Sequence, residues 1–252
     1  MESKMDLPNI KKQFNENGWI VVNNVFSFQD IDEVLKKTME VSDRELNSGD
    51  IHTIDTSSDG KISSPRKINN PYLKEELFRT ILEKNKFQNI LSQLLKDEKP
   101  ILGATQIFMK PPFHGTAKPY HQDNSYFKCS PADELITAWI ALEDVDEGNG
   151  CLRYINGSHK GEIVEHHEVP EAAHDLKIAN KDIDYSKERS AIVKKGGVVF
   201  HHGGTMHTSL KNSSDRWRRG YATHWYTKNV TSESNFLENA HCKPEDICVT
   251  TC

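Results

Sequence analysis

The residues of this chain best suited to chemistry are His121 and Asp123, which are separated by a single residue. If they lie on a strand, alternate side chains point to the same face, so the imidazole and the carboxylate point the same way. A lone H-x-D pair is a weak signal, but His207 follows 86 residues later, after a second β-rich stretch. Two histidines and one carboxylate form the facial triad of non-haem iron oxygenases, and they would also satisfy a catalytic zinc site.

Arg218 helps to separate these two possibilities. It stands eleven residues after His207, at the start of the last clear strand. Its guanidinium offers a planar fork of donors that matches a carboxylate and stays charged. An α-keto-acid cosubstrate that chelates iron needs such a partner for its far carboxylate, whereas a hydrolytic zinc site does not. The alternative, an exposed basic turn formed with Arg216 and Arg219, stays open from the sequence alone.

The elements that must position these residues divide the chain into two parts. The front reads as a short strand at 19–22, a helix that begins with a capping box of Ser27 and Asp30, and a helical stretch at about 73–95. From residue 100 onward, short strands are separated by turns, without the alternation of strand and helix that marks a parallel sheet. These strands are expected at 101–110, 134–143, from 151 onward, at 196–202 and at 218–227. This pattern predicts an antiparallel sandwich or barrel behind N-terminal helices.

Two polar segments are expected to be loops. The segment 48–64 is rich in Ser, Asp and Gly, and 161–188 is too polar and aperiodic to form a core, so it is interpreted as a rim or lid. With no repeat and no linker, we expect a single domain over residues 1–252. Its parts are a helical region at about 1–99, a β core at about 100–230 and a C-terminal tail at 231–252.

Composition limits the class of partner. The formal net charge is −5, which argues against nucleic acid. No apolar stretch approaches a bilayer span, and the N-terminus carries charges where a signal peptide would be apolar. We therefore expect a cytoplasmic protein, without a membrane partner, that acts on a small molecule. The five cysteines are widely spaced and are interpreted as reduced thiols.

Three runs, KPYHQDNSYF, TAWIALEDVDEGNGCLRYINGSHKGE and HGGTMHTSLKNSSDRWRRGYATHW, resemble the phytanoyl-CoA dioxygenase family of Fe(II)/2-oxoglutarate oxygenases. The resemblance covers about residues 15–230. It implies a mainly β fold, a double-stranded β-helix (jelly-roll, cupin-like) core with flanking N-terminal α-helices. It also implies that Fe(II), 2-oxoglutarate and O₂ are used, and that His121, Asp123 and His207 hold the iron.

The same resemblance assigns residues to the cosubstrate. It implies that Arg218 binds the C5 carboxylate of 2-oxoglutarate and that the hydroxyl of Ser209 supports it. Trp139 matches an aromatic wall of that pocket, and Gln106 matches a polar contact on the strand before the H-x-D. Lys67 matches a family lysine that helps bind 2-oxoglutarate, although this alignment crosses a loop.

The predicted reaction is hydroxylation of a C–H bond in a small molecule, with release of succinate and CO₂. Since halogenating relatives lack the carboxylate ligand, Asp123 favours hydroxylation or a related oxidation. Arg66, Lys110 and the histidines of the loops favour a polar or anionic substrate. The alternatives are a zinc hydrolase or isomerase on the same scaffold and a non-catalytic binding protein. His202 and His224 are undecided, and the remaining histidines are interpreted as surface residues.

Overall fold

Six α-helices and sixteen β-strands make up the described part of the chain, which in this computed structural model comprises residues 5–48, 54–56, 61, 63–169 and 175–243. The helices are α1 (Leu7–Asn17), α2 (Phe28–Ser48), α3 (Pro71–Lys74), α4 (Glu76–Thr80), α5 (Asn85–Leu95) and α6 (Asn124–Phe127). The strands are β1 (Trp19–Val22), β2 (Ile54–Thr56), β3 (Ser63–Pro65), β4 (Lys67–Asn69), β5 (Ile101–Lys110), β6 (Lys118–His121), β7 (Cys129–Ser130), β8 (Leu135–Ala141), β9 (Leu152–Ile155), β10 (His166–Glu168), β11 (Leu176–Ile178), β12 (Glu188–Ala191), β13 (Val198–His202), β14 (His207–Ser209), β15 (Arg218–Tyr226) and β16 (Thr231–Ser232).

Two antiparallel sheets face each other. The major sheet has the strand order β1-β13-β8-β15-β5-β4, and the minor sheet has the order β12-β9-β14-β6. Strands β10 and β11 form a separate hairpin, and the pairs β16-β7 and β2-β3 are small additions. The predicted jelly-roll with N-terminal helices is confirmed.

The N-terminal helices begin and end at clear local signals. Helix α2 has the predicted capping box, because the Ser27 hydroxyl accepts from the Asp30 backbone N–H at 3.1 Å. Helix α1 was not predicted. The Asp6 carboxylate accepts from the Asn9 N–H at 3.1 Å, and the helix ends at Gly18, whose φ of 83° favours glycine.

The helical stretch expected at 73–95 is divided into several short elements. Helix α3 ends at Lys74, because Glu75 has an extended backbone, and a 3₁₀ turn at Ile81–Glu83 separates α4 from α5. The apolar periodicity nevertheless identified the buried face, since Phe78, Ile90 and Leu91 are fully buried. The pattern therefore predicted which side chains pack inward but not where the helix breaks.

The two faces of the major sheet differ in polarity. Its outer face packs against the helices in the largest apolar core, which includes Ile107 and Met109 of β5. On the same strand, Gln106 and Phe108 point to the other side, toward the minor sheet, and are only half-buried. The interior between the sheets is therefore open along β5.

The segment expected to be an irregular rim at 161–188 contains the β10-β11 hairpin, and β11 lies against β6. The hairpin thus packs against the edge of the minor sheet, where β6 ends at His121.

The cysteines differ partly from expectation. Cys129 and Cys151 are buried free thiols, but Cys242 is disulfide-bonded, so the prediction of a reduced thiol is wrong at this position. Cys248 and Cys252 lie outside the described residues.

Candidate active site

The structure brings His121, Asp123 and His207 together in a buried cluster. His121 and His207 are direct cross-strand partners on β6 and β14. Their Nε2 atoms each lie 3.6 Å from Oδ1 of Asp123, and the three ligand atoms fall within 4.8 Å of one another. Asp123, however, lies in the turn between β6 and α6. The side chains converge as predicted, but a strand-to-helix turn rather than strand alternation places the carboxylate.

Hydrogen bonds fix the tautomers of both histidines. Nδ1 of His121 lies 2.8 Å from the carbonyl of Pro119, and Nδ1 of His207 lies 2.9 Å from the carbonyl of Thr205. Because a carbonyl only accepts, each Nδ1 carries a proton, and Nε2 is the ring nitrogen that faces Asp123. Burial, together with neighbouring His121, lowers the pKa of His207 well below its usual value. The cluster therefore presents two imidazole nitrogens and a carboxylate, a donor set that fits Fe(II).

The second oxygen of Asp123 is held by two neighbours that sequence reasoning missed. Oδ2 accepts from the Thr137 hydroxyl at 2.5 Å and from Nε2 of His201 at 3.0 Å. Nδ1 of His201 in turn accepts from the Tyr154 hydroxyl at 2.9 Å, and Thr137 accepts from Nδ1 of His224 at 2.8 Å. These bonds leave Oδ1 as the atom that faces the two histidines.

His201 and His202 lie on opposite faces of β13. His201 is 2% exposed, so its interpretation as a surface residue is wrong. His202 faces away from the cluster, where its Nδ1 accepts from the Gly204 N–H at 2.9 Å, and burial lowers its pKa to about 4. Strand alternation within 198–202 is the signal that would have separated them.

Arg218 is a buried cation without a protein counter-ion. It is 2% exposed, and its guanidinium carbon lies 4.5 Å from the centroid of the Trp139 ring. Burial lowers its pKa to about 10, so it remains charged at neutral pH. Within the described ranges the side chain forms no hydrogen bond, and both Nε of Arg218 and Nε1 of Trp139 are buried and unpaired. Such a group needs an anion, which fits the carboxylate of a keto acid.

Lys110, the last residue of the predicted strand 101–110, is a second buried cation at this position. It is the cross-strand partner of Arg218. Its Nζ donates to the Ser209 hydroxyl at 2.9 Å and to the backbone carbonyl of Leu210. Lys110 thereby links the major sheet to Ser209 on the minor sheet, next to Arg218. The alternation of Gln106, Phe108 and Lys110 along β5 was the available signal.

Gly220 provides the space for the indole. A Cβ atom at Gly220 would lie 1.8 Å from Cζ2 of Trp139, so the ring lies across the strand where a side chain is missing. This position of the indole lets the Arg218 guanidinium stack on it.

The neighbouring arginines point elsewhere, which resolves the alternative of a basic turn. Arg216 is ion-paired with Asp146 at 2.6 Å on the surface. Arg219 lies on the opposite face of β15, paired with Glu143 and stacked on Trp217.

Gln106 and Lys67 lie on the same inner face but nearer the sheet edge. Gln106 pairs across from Ala222 on β15 and Asn69 on β4, and Lys67 pairs across from Phe108. The charged groups that act on Lys67 are Lys118, Asp175 and Arg66 rather than Arg218. The structure therefore places Lys67 apart from the guanidinium, at the edge strand.

Gln122, between His121 and Asp123, was also missed. It is fully buried, its amide donates to the Gly204 carbonyl at 2.8 Å and accepts from the Val164 N–H at 3.0 Å. Its backbone N–H donates to Nε2 of His166 at 3.0 Å. His166 was expected to be a solvated rim residue, but this hydrogen bond connects the β10-β11 hairpin to the turn that contains Asp123.

Fold and site together define a jelly-roll oxygenase of the 2-oxoglutarate-dependent, non-haem iron class. The family model "Phytanoyl-CoA dioxygenase (PhyH)" matches residues 14–220. The chain belongs to the phytanoyl-CoA dioxygenase family, as the three sequence runs predicted.

Three comparisons illustrate the range of similar proteins. The chain is 26% identical over 273 residues to "Phytanoyl-CoA dioxygenase domain-containing protein 1 homolog" of Caenorhabditis elegans, covering 91% of this chain and 94% of that protein. It is 27% identical over 259 residues to "Phytanoyl-CoA dioxygenase, peroxisomal" of Bos taurus, covering 94% and 74%. The epimerase SnoN, solved in complex with Fe3+, alpha ketoglutarate and nogalamycin RO, has a TM-score of 0.69 and 18% identity, with 95% and 91% covered.

None of the helices that the structure describes is long and apolar enough to cross a membrane. Because the bovine relative is named peroxisomal, the expected cytoplasmic location stays a prediction.

Proposed function

We propose that this chain is an Fe(II)- and 2-oxoglutarate-dependent dioxygenase that hydroxylates a C–H bond of a small, polar or anionic substrate and releases succinate and CO₂. One observation carries the proposal: His121, Asp123 and His207 converge in the interior that also holds Arg218, a buried guanidinium without a protein counter-ion. A metal triad with a partnerless cation nearby matches a metal-chelating keto acid better than it matches water alone.

Each residue has a defined task in this proposal. His121, His207 and Oδ1 of Asp123 hold the iron, and Thr137 and His201 orient that carboxylate. When bound, the iron and 2-oxoglutarate supply the oxidising power by reaction with O₂.

The remaining residues bind and orient the cosubstrate. Arg218 and the Ser209 hydroxyl bind the C5 carboxylate, and the Trp139 ring walls the pocket. Lys110 orients the Ser209 hydroxyl. Gln106 and Lys67 stay predicted contacts of 2-oxoglutarate from the inner face of the sheet edge.

Anaerobic addition of Fe(II) and then 2-oxoglutarate tests the proposal. A weak visible charge-transfer band is expected from the chelate, and its absence from a folded sample would refute the proposal. Arg218→Ala should weaken 2-oxoglutarate binding by at least about 100-fold, because a buried charge-assisted pair is lost. Arg216→Ala is the matched control, since Arg216 lies two residues away on the surface and pairs with Asp146. A zinc hydrolase would tolerate Arg218→Ala.

The type of oxidation needs its own measurement, because the similar fold of SnoN belongs to a protein named an epimerase. Candidate metabolites are incubated with the Fe(II) enzyme, 2-oxoglutarate and O₂, and succinate formation is followed. Products are then analysed by mass spectrometry. Hydroxylation predicts a mass gain of one oxygen atom, whereas a product of unchanged mass would indicate isomerisation.

A further inference from the structure

The interior between the two sheets opens along one pair of edge strands, β4 of the major sheet and β6 of the minor sheet. The major sheet ends with β4 and the minor sheet ends with β6, and these edge strands carry Lys67 and Lys118. On the opposite side, Trp19 of β1 stacks on Tyr154 of β9 with ring centroids 4.7 Å apart. The half-buried Phe108 lies next to Lys67 on the inner face, so the opening leads directly into the candidate active site.

Three cations and one carboxylate surround this opening. Asp175, just before β11, pairs through Oδ2 with Arg66 at 2.8 Å and through Oδ1 with Lys118 at 2.5 Å. Both carboxylate oxygens are thereby occupied. Lys67 has no hydrogen-bond or ion-pair partner in the described part of the chain, and desolvation followed by neighbouring Lys118 lowers its pKa. The cluster therefore carries a net charge of +2 within a protein of net charge −5.

The cluster is also close to the metal triad. Nζ of Lys118 lies 2.9 Å from the Tyr126 hydroxyl and 5.0 Å from the centroid of the Tyr126 ring. The Tyr126 ring in turn contacts the His121 ring edge-on, with centroids 5.8 Å apart. One aromatic side chain thus separates the cations from a metal ligand.

We propose that Arg66 and Lys118 form a subsite for a carboxylate or phosphate group of the organic substrate, and that Asp175 occupies this subsite until the substrate binds. This inference rests on the proposed function and names its substrate class. The anionic group would bind at the opening, so that the carbon chain beside it extends over Phe108 toward the triad. Such an arrangement selects a substrate whose oxidised carbon lies a short distance from its anionic group.

The test uses the full chain loaded with Zn(II), a diamagnetic substitute for iron, and saturated with 2-oxoglutarate so that the cosubstrate pocket is filled. Inorganic phosphate and acetate are titrated separately at constant ionic strength, and binding is followed by NMR chemical shifts. Two charge-assisted hydrogen bonds correspond to a Kd of about 1 mM. Saturable shifts at Arg66 and Lys118 are expected, and whether phosphate or acetate binds more tightly identifies the preferred anion.

The variants have opposite expected signs. Arg66→Gln with Lys118→Met should weaken binding at least about tenfold. Asp175→Asn should tighten it several-fold, because the competing carboxylate is removed. Arg44→Gln with Lys84→Met is the matched control, since these exposed residues are also ion-paired, with Glu75 and Asp30.

Three results would overturn the inference. The first is the absence of saturable shifts with either anion up to about 50 mM, roughly fifty times the expected Kd. The second is a loss of anion affinity in the control variant equal to that in Arg66→Gln with Lys118→Met, and the third is an anion affinity of Asp175→Asn no higher than that of the wild type. Parallel anaerobic samples with Fe(II) report the charge-transfer band of the 2-oxoglutarate chelate. If that band is present and no anion binds, only the subsite is refuted. If the band is absent, the proposed function itself fails.

Discussion

The hydroxyl of Thr137 is expected to control metal affinity without touching the metal. It donates to Oδ2 of Asp123 at 2.5 Å, and His201 donates to the same oxygen at 3.0 Å. Thr137→Val keeps the side-chain shape but removes this donor. The carboxylate is then held on that side by His201 alone, so its orientation toward the two histidines is less restrained.

The magnitude follows from the number of bonds lost. A hydrogen bond to a charged group contributes about 1.5–3 kcal/mol, and the loss of an outer-sphere partner typically weakens metal binding 10- to 100-fold. Because the His201 bond remains, we expect Thr137→Val to raise the metal Kd about tenfold, which corresponds to about 1.4 kcal/mol. Thr137→Ser, which keeps the hydroxyl, should restore most of the affinity.

Anaerobic titration with Co(II), followed by its visible absorption, measures this Kd directly. Thr223→Val is the matched control. Thr223 is a buried threonine on the outer face of the major sheet, and its hydroxyl donates to the Ala138 carbonyl instead of to Asp123. Thr223→Val should alter stability but leave metal affinity unchanged. If Thr137→Val binds Co(II) as tightly as wild type, or if both variants lose affinity equally, the orienting role of Thr137 is wrong.

Three further predictions concern packing, pH and metal binding. Gly220→Ala should destabilise the fold by about 1–3 kcal/mol in urea and change the near-UV signal of Trp139, because the new methyl group collides with the indole. Gly161→Ala should do neither, because a Cβ atom there would lie 3.6 Å from the Ser158 carbonyl oxygen, an ordinary van der Waals contact. Burial holds the pKa of His202 at about 4, below its unfolded value of 6.5, so the contribution of this residue to the free energy of unfolding is present above pH 6.5 and is lost as the pH falls. The free energy of unfolding should therefore fall by about 2 kcal/mol between pH 7 and pH 5 through His202. In urea unfolding at these two pH values, His202→Gln should show a fall that is smaller by that amount. Zn(II) at 100 times its Kd should stabilise the wild type by about 2.7 kcal/mol in thermal unfolding, and His121→Ala should lose this stabilisation if the residue is a ligand.

The sequence predicted the architecture well because apolar periodicity reflects burial. The strand expected at 101–110 is β5 with the same bounds, and the capping box of Ser27 and Asp30 is present. The prediction failed where tertiary packing determines the structure. Helix α1, before the first strand, was not predicted, and the helical stretch expected at 73–95 is broken at Glu75. These breaks depend on how the helices fit the sheet, which local pattern does not encode.

For the candidate site, the chemical types of residue were easier to predict than their supports. His121, Asp123, His207 and Arg218 were singled out by spacing and by the family resemblance. His201 and Thr137 escaped because their importance comes only from strand register, which places β13 beside β8 and both opposite the Asp123 turn. A residue that acts through another residue leaves no spacing signature of its own.

The unequal packing on the two faces of the major sheet has a consequence for how this scaffold changes over evolution. Most of the large buried apolar side chains, such as Phe87 of α5, Phe200 of β13 and Tyr221 of β15, lie between this sheet and the helices rather than between the two sheets. The free energy of folding therefore comes mainly from a layer that lies on the far side of the major sheet from the candidate active site. Side chains along the opening, such as Gln106 and Lys67, can be exchanged with little effect on that layer. Such a chain can acquire a new substrate by drift at its inner face while its fold stays intact.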